Sequence, residues 1–187
     1  MFIQTESTPN PATLKFLPGQ TVLDSGTADF PSADTAEKSP LARRVFGVEG
    51  VTGVFLGSDF VTVTKAETVA WEHVKPAILG AIMEHFQSGD ATIEGDGAGA
   101  AHAEHDGPDG EIVGQIKELL DTRVRPAVAQ DGGDITFQKF DADTGIVHLS
   151  MRGACAGCPS STMTLKQGIE NMLKAYVPEV NAVEAAL

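Results

Sequence analysis

Ile146-Val147-His148-Leu149-Ser150-Met151-Arg152-Gly153-Ala154-Cys155-Ala156-Gly157-Cys158-Pro159 runs from a strand pattern through a cysteine loop to a helix start. Val147, Leu149 and Met151 alternate, so they share one strand face. Pro159 suits the first position of a helix, where its missing N–H would be unpaired anyway, and Cys158 is then the N-cap. Leu165, Ile169, Met172 and Leu173 give that helix one apolar side, and it stops before Pro178. Upstream, Asp131-Gly132-Gly133-Asp134 is a turn. Ile135 and Phe137 then alternate on a partner strand, joined to the first through a turn at Asp141-Ala142-Asp143-Thr144-Gly145. A helix with Val113, Ile116, Leu119 and Leu120 on one side precedes them, and Pro126 is expected to kink or end it. Val180 to Val183 can add a last strand. Residues 110–187 therefore read as a small α+β domain, a short, mostly antiparallel sheet packed with helices.

Cys155 and Cys158 are the only cysteines of the chain. In a loop capping a helix, free N–H groups and the helix dipole lower a thiol pKa and favour thiolate. Gly153 and Gly157 let the backbone bend closely around whatever the sulfurs hold. Three readings of CxxC stand side by side. Two buried structural thiols fit poorly in a glycine-flanked loop. A dithiol oxidoreductase needs only this pair, but the motif follows an antiparallel strand pair rather than a βαβ unit. Zinc and iron–sulfur clusters each accept four cysteine thiolates. Two copies of the chain sharing one centre would supply four.

The rest of the chain divides around residues 89–109, which hold six acids, no Lys or Arg, and almost nothing large and apolar. Such a segment cannot offset its ordering entropy by burial, so it reads as a flexible acidic Gly/Ala-rich linker. Residues 1–88 form the first domain. Phe2 to Glu6 and Leu14-Lys15-Phe16 are strands, and Ser39-Pro40 opens a short helix that Gly47 stops. Val51 to Leu56 and Phe60 to Thr64 form a hairpin. Val74, Ile78, Ile82 and Phe86 mark an amphipathic helix from about Glu67. The whole is α+β: two small domains joined by a tether.

The net charge of −13 argues against nucleic acid and against an anionic membrane surface. No apolar run approaches the roughly 20 residues of a membrane-spanning helix. CxxC spacing without a secretory signal implies a reducing compartment, and the expected home is the cytoplasm. No Ser-His-Asp set, Walker loop or GxGxxG is present, so no enzymatic activity is expected.

The cysteine loop and its continuation to Leu173, with Asp131-Gly132-Gly133-Asp134-Ile135 upstream and Pro178-Glu179-Val180 downstream, resemble the C-terminal domain of NifU and its Nfu relatives. Thr8-Pro9-Asn10-Pro11-Ala12-Thr13-Leu14-Lys15-Phe16 resembles the Nfu N-terminal domain. The resemblance implies an iron–sulfur carrier or scaffold. Paired CxxC motifs from two protomers would hold a [4Fe-4S] cluster, although four thiolates suit [2Fe-2S] equally. It further implies Cys155 and Cys158 as ligands, a homodimer when loaded and a monomer when apo. Upstream assembly proteins would be the cluster's source, and apo iron–sulfur proteins its acceptors. Full-length NifU proteins carry further cysteine-bearing domains, and this chain has no cysteine outside the loop.

Outside the loop, His102 and His105 read as solvated tether residues, and His85 and His148 as surface residues. Trp71 reads as core. Arg43, Arg44, Arg123 and Arg125 read as solvated helix faces available to acidic partners.

Overall fold

The computed structural model describes residues 1–95, 102–105, 107–157 and 159–186, without the side chains of 159–161. It separates into two compact units, Met1–Ala100 and Ala101–Leu187. No described helix is long and apolar enough to cross a membrane.

The first unit carries strands β1 (Gln4–Ser7), β2 (Thr13–Leu17), β3 (Ala28–Phe30), β4 (Val51–Leu56) and β5 (Val61–Lys65). They form one antiparallel sheet in the order β1-β2-β5-β4-β3. Helix α1 (Pro40–Phe46) begins where Ser39 places its hydroxyl on the Ala42 N–H, and it ends at Gly47, as Ser39-Pro40 and Gly47 predict. Helix α2 (Trp71–Ser88) starts four residues later than the apolar repeat suggests. Leu41, Ala42 and Val45 of α1 and Val74, Ile78 and Ile82 of α2 bury against Phe16, Val54, Leu56, Val61 and Val63 of the sheet. Each large aliphatic residue so buried contributes about 1.5–3 kcal/mol. Strand β3 has no counterpart in the sequence reading. At three residues it is too short for an alternation to register, and its pairing with β4 alone defines it.

The second unit carries β6 (Gly133–Asp141), β7 (Ile146–Gly153) and β8 (Ala182–Ala185) in that spatial order. Strands β6 and β7 are antiparallel; β8 runs parallel to β7, reached through α5 (Pro159–Tyr176). The last strand lies two residues beyond the Val180 to Val183 expected. The register is set by pairing with β7, while Val180 and Val183 both remain buried. The helix over the sheet does not break at Pro126. Helix α3 (Gly110–Leu119) passes through a π turn, Leu120–Val124, into α4 (Arg125–Gln130). Pro126 lacks the N–H that would continue the regular ladder, and a wider turn absorbs the mismatch. Val113, Ile116, Leu120, Val124 and Val128 cover Ile135, Phe137, Val147 and Leu149, with Ile169, Leu173 and Val183 completing the core.

Where described, the expected tether is built into the units. Ser39 donates to the Thr92 carbonyl at 2.7 Å, and the Glu94 N–H donates to the Lys38 carbonyl at 2.7 Å. Ile93 packs on the first core, and Arg44 pairs with Asp90 at 2.7 Å. At the far end, the Phe137 N–H donates to His102 Nδ1 at 2.8 Å, and the Ala103 N–H donates to the Phe137 carbonyl at 2.8 Å. Residues 96–101 and 106 lie outside the described residues. Composition alone misread both ends. A polar segment needs little apolar burial of its own when it supplies hydrogen bonds to a neighbouring edge strand or helix cap.

Candidate metal centre

Gly153 (φ 61°) and Gly157 (φ 77°) occupy the left-handed region, which lets the chain leave β7, turn sharply and approach α5. The Ala154 N–H donates to the Gly132 carbonyl at 3.1 Å, which pins the loop to the turn before β6. Thr162, in the first turn of α5, donates its hydroxyl to the Cys155 carbonyl at 3.2 Å. The loop is thus held from both sides by backbone carbonyl contacts.

Cys155 points inward. It is 6% exposed, with a free thiol that joins the core of the second unit. Gly133 makes this possible. A Cβ on Gly133 would stand 2.5 Å from Cys155 Sγ and 2.9 Å from the Arg152 carbonyl oxygen, closer than real Cβ atoms approach. The Asp-Gly-Gly-Asp turn is therefore also the floor of the thiol pocket. The sequence reading placed the thiol in an exposed, thiolate-favouring turn, and this is corrected for Cys155. Burial pushes its thiol up to about 12, and the neighbouring charges of Asp131 and Asp134 add to the rise. The cause is direction: the sulfur is turned into the core and toward two carboxylates. Cys158 lies outside the described residues; α5 does begin at Pro159, as the loop's sequence predicts. Among the described residues no three His, Cys, Asp or Glu side chains cluster as a metal site.

Beneath the loop, Arg125 grips the buried Asp134 through Nε to Oδ1 at 2.8 Å and Nη2 to Oδ2 at 2.9 Å. A second arm donates to Asp121 at 2.9 Å, and Asp134 Oδ1 also accepts the Ile135 N–H at 2.8 Å. Asp121 in turn meets His102 Nε2 at 3.0 Å. Burial raises the Asp121 carboxyl, but the hydrogen bonds of Arg125 and His102 and the Arg125 charge more than offset it, and it lies below its ordinary value. Arg125 and His102 were read as solvated and are not. Asp121 lies one helical turn from Arg125, but Asp134 is nine residues from Arg125, and Asp121 and Phe137 are nineteen and thirty-five from His102, separations that no local pattern marks.

His85, read as a surface residue, is 0% exposed, and neither ring nitrogen has a hydrogen-bond partner. It falls on the buried stripe of α2 with Ile78 and Ile82. His148 lies half-buried within 4.0 Å of Glu184, near the surface as expected.

Comparison with known proteins extends across both units. A family model described as the N terminal of scaffold protein Nfu/NifU matches residues 3–89, and one described as a NifU-like domain matches residues 116–184. NifU-like protein 4, mitochondrial, of Arabidopsis thaliana is 53% identical over 185 residues, which are 98% of this chain and 65% of that protein. The NFU1 iron-sulfur cluster scaffold homolog, mitochondrial, of Homo sapiens is 51% identical over 189 residues, covering 100% of this chain and 72% of that one. The chain thus spans about two-thirds of the length of these relatives. A solution structure of a NifU-like protein from Saccharomyces cerevisiae aligns at 28% identity and TM-score 0.44, over 50% of this chain and 84% of that one. The cytoplasmic expectation is contradicted by these relatives, whose names place those proteins in the mitochondrion. Unpaired thiols report a reducing environment, not which compartment supplies it. Matched through both of its units and at about half identity to these proteins, the chain belongs to the Nfu/NifU family.

Proposed function

We propose that this chain is an iron–sulfur cluster scaffold and carrier, not an enzyme. Cys155 and Cys158 of two copies would hold one [4Fe-4S] cluster as cargo and yield it to the thiolates of an apo-protein. One observation carries this reading: in a chain about half identical to a named cluster scaffold, the only two thiols are the CxxC pair. Two thiols fall short of the four a cluster takes, and a second copy supplies the rest. Residues 1–88 and 110–187 act as separate domains, and the first, which has no cysteine, serves target docking. Loading requires the loop to turn the Cys155 sulfur out of its pocket, with Gly153 and Gly157 as the hinges.

The alternative, a thiol–disulfide oxidoreductase, needs an accessible attacking sulfur just as ligation does, and it predicts disulfide-reductase activity in the metal-free monomer where the carrier reading expects none. Anaerobic reconstitution with iron, sulfide and mass measured together tests the proposal. One four-iron cluster per two chains is expected, with iron lost in Cys155→Ala. A cluster-loaded monomer, or full iron in that variant, would overturn it.

A further inference from the structure

Strand β6 is an edge of the second sheet, and its pairing with β7 slips between Phe137 and Lys139. At that irregularity the edge is covered from outside. His102 Nδ1 accepts the Phe137 N–H, and the Ala103 N–H returns to the Phe137 carbonyl, so Phe137 is paired on both backbone groups by the segment before α3. The His105 ring then stands edge-on to the Phe137 ring, with centroids 6.5 Å apart. An Nδ1 that accepts carries no proton, so the hydrogen of the neutral ring sits on Nε2, which faces Asp121. From there the contacts are continuous: Asp121 to Arg125, Arg125 by two bonds to Asp134, and Asp134 next in sequence to Gly133. Gly133 is the residue on which the Cys155 sulfur rests.

We propose that His102 is a positioning residue for the cysteine loop, setting the Cys155 pocket through Asp121, Arg125 and Asp134. The strand's position is specified at two points by this chain of bonds. At Phe137 the imidazole holds the backbone directly; at Asp134 the guanidinium fork holds the side chain, and its other arm is oriented by the same carboxylate that His102 engages. Loss of the imidazole frees Asp121 from one partner and uncovers the edge, so the fork and the pocket floor loosen together. The inference deepens the scaffold reading, since Cys155 is the ligand that reading assigns, but its test reads the thiol and not the cluster.

The experiment uses the full apo-chain with Cys158→Ser, so that Cys155 is the single thiol, and measures alkylation by iodoacetamide together with exchange of the Phe137 amide. His102→Ala is expected to deprotect that amide and to speed alkylation about tenfold, the scale of one or two lost hydrogen bonds. His102→Gln is expected to restore the wild-type rate, because its amide accepts from Phe137 and donates to Asp121 with the same polarity. Asp121→Asn spares the Phe137 bond, keeps the chain folded should His102→Ala fail, and is expected to speed alkylation with that amide still protected. Wild-type alkylation in His102→Ala with the amide deprotected would overturn the proposal, as would a rise that glutamine leaves uncorrected. Iron retained by Cys155→Ala would remove the cluster role and leave this thiol readout standing.

Discussion

At the residue scale, His85 shows how one side chain imposes a pH dependence. Burial first, and the Arg44 charge second, hold its imidazole below the ordinary value of 6.5, with Asp90 opposing. The unfolded chain therefore takes up its proton at a higher pH than the folded one. His85's contribution to stability is complete above about 6.5 and is lost as pH falls below that toward the folded value. Replacing it with Leu removes two unpartnered polar atoms from the core. His85→Leu is expected to raise stability by about 1 kcal/mol and to flatten the loss between pH 7.5 and 5.5 seen in urea titrations. An unchanged pH slope would refute that account. The sequence could not assign this residue. It sits seven positions after Ile78 and three after Ile82, so the stripe is helical, yet a histidine at its edge reads as rim until the facing helix α1 is in place. The thiol pocket has the same character. A CxxC loop with its glycines is legible, but the inward turn of Cys155 depends on Gly133, twenty-two residues upstream.

At the scale of elements, local signals located most boundaries. Ser39-Pro40 and Gly47 bound α1, and Pro159 starts α5, because caps and prolines act on the backbone beside them. What escaped was the second use of the same groups. Ser39 caps α1 and also holds the Thr92 carbonyl, so a single hydroxyl starts the helix and straps down the segment after α2. Ser39→Ala is expected to cost about 2 kcal/mol, a cap plus a partly buried hydrogen bond. In hydrogen exchange it would deprotect both the Ala42 and Glu94 amides; deprotection confined to Ala42 would show that the strap holds without it. Pro126 teaches a related lesson. Its chemistry guarantees an interrupted ladder, but whether the interruption becomes a kink, an end or a π turn is settled by packing. Here Leu120 and Val124 are both buried, and a π turn keeps them so.

At the scale of the molecule, two cores with separate residue sets underlie the two units. Residues 1–95 and 102–187 produced separately are each expected to fold, with a cooperative unfolding transition in urea. A version of the second beginning at residue 110 loses the cover on β6, and is expected to be less stable by about 1–2 kcal/mol in urea. Equal stability would mean that the cover contributes nothing. The sequence by itself determined the class of each unit and the family, because periodicity, caps and a glycine-flanked CxxC are written within a few residues of one another. Only the tertiary structure decided that Cys155 is buried, that His85 is core, and that the ends of the acidic segment are docked. Each of those depends on a partner far along the chain, and burial and hydrogen bonding between distant residues are properties of the packed molecule rather than of any stretch of it.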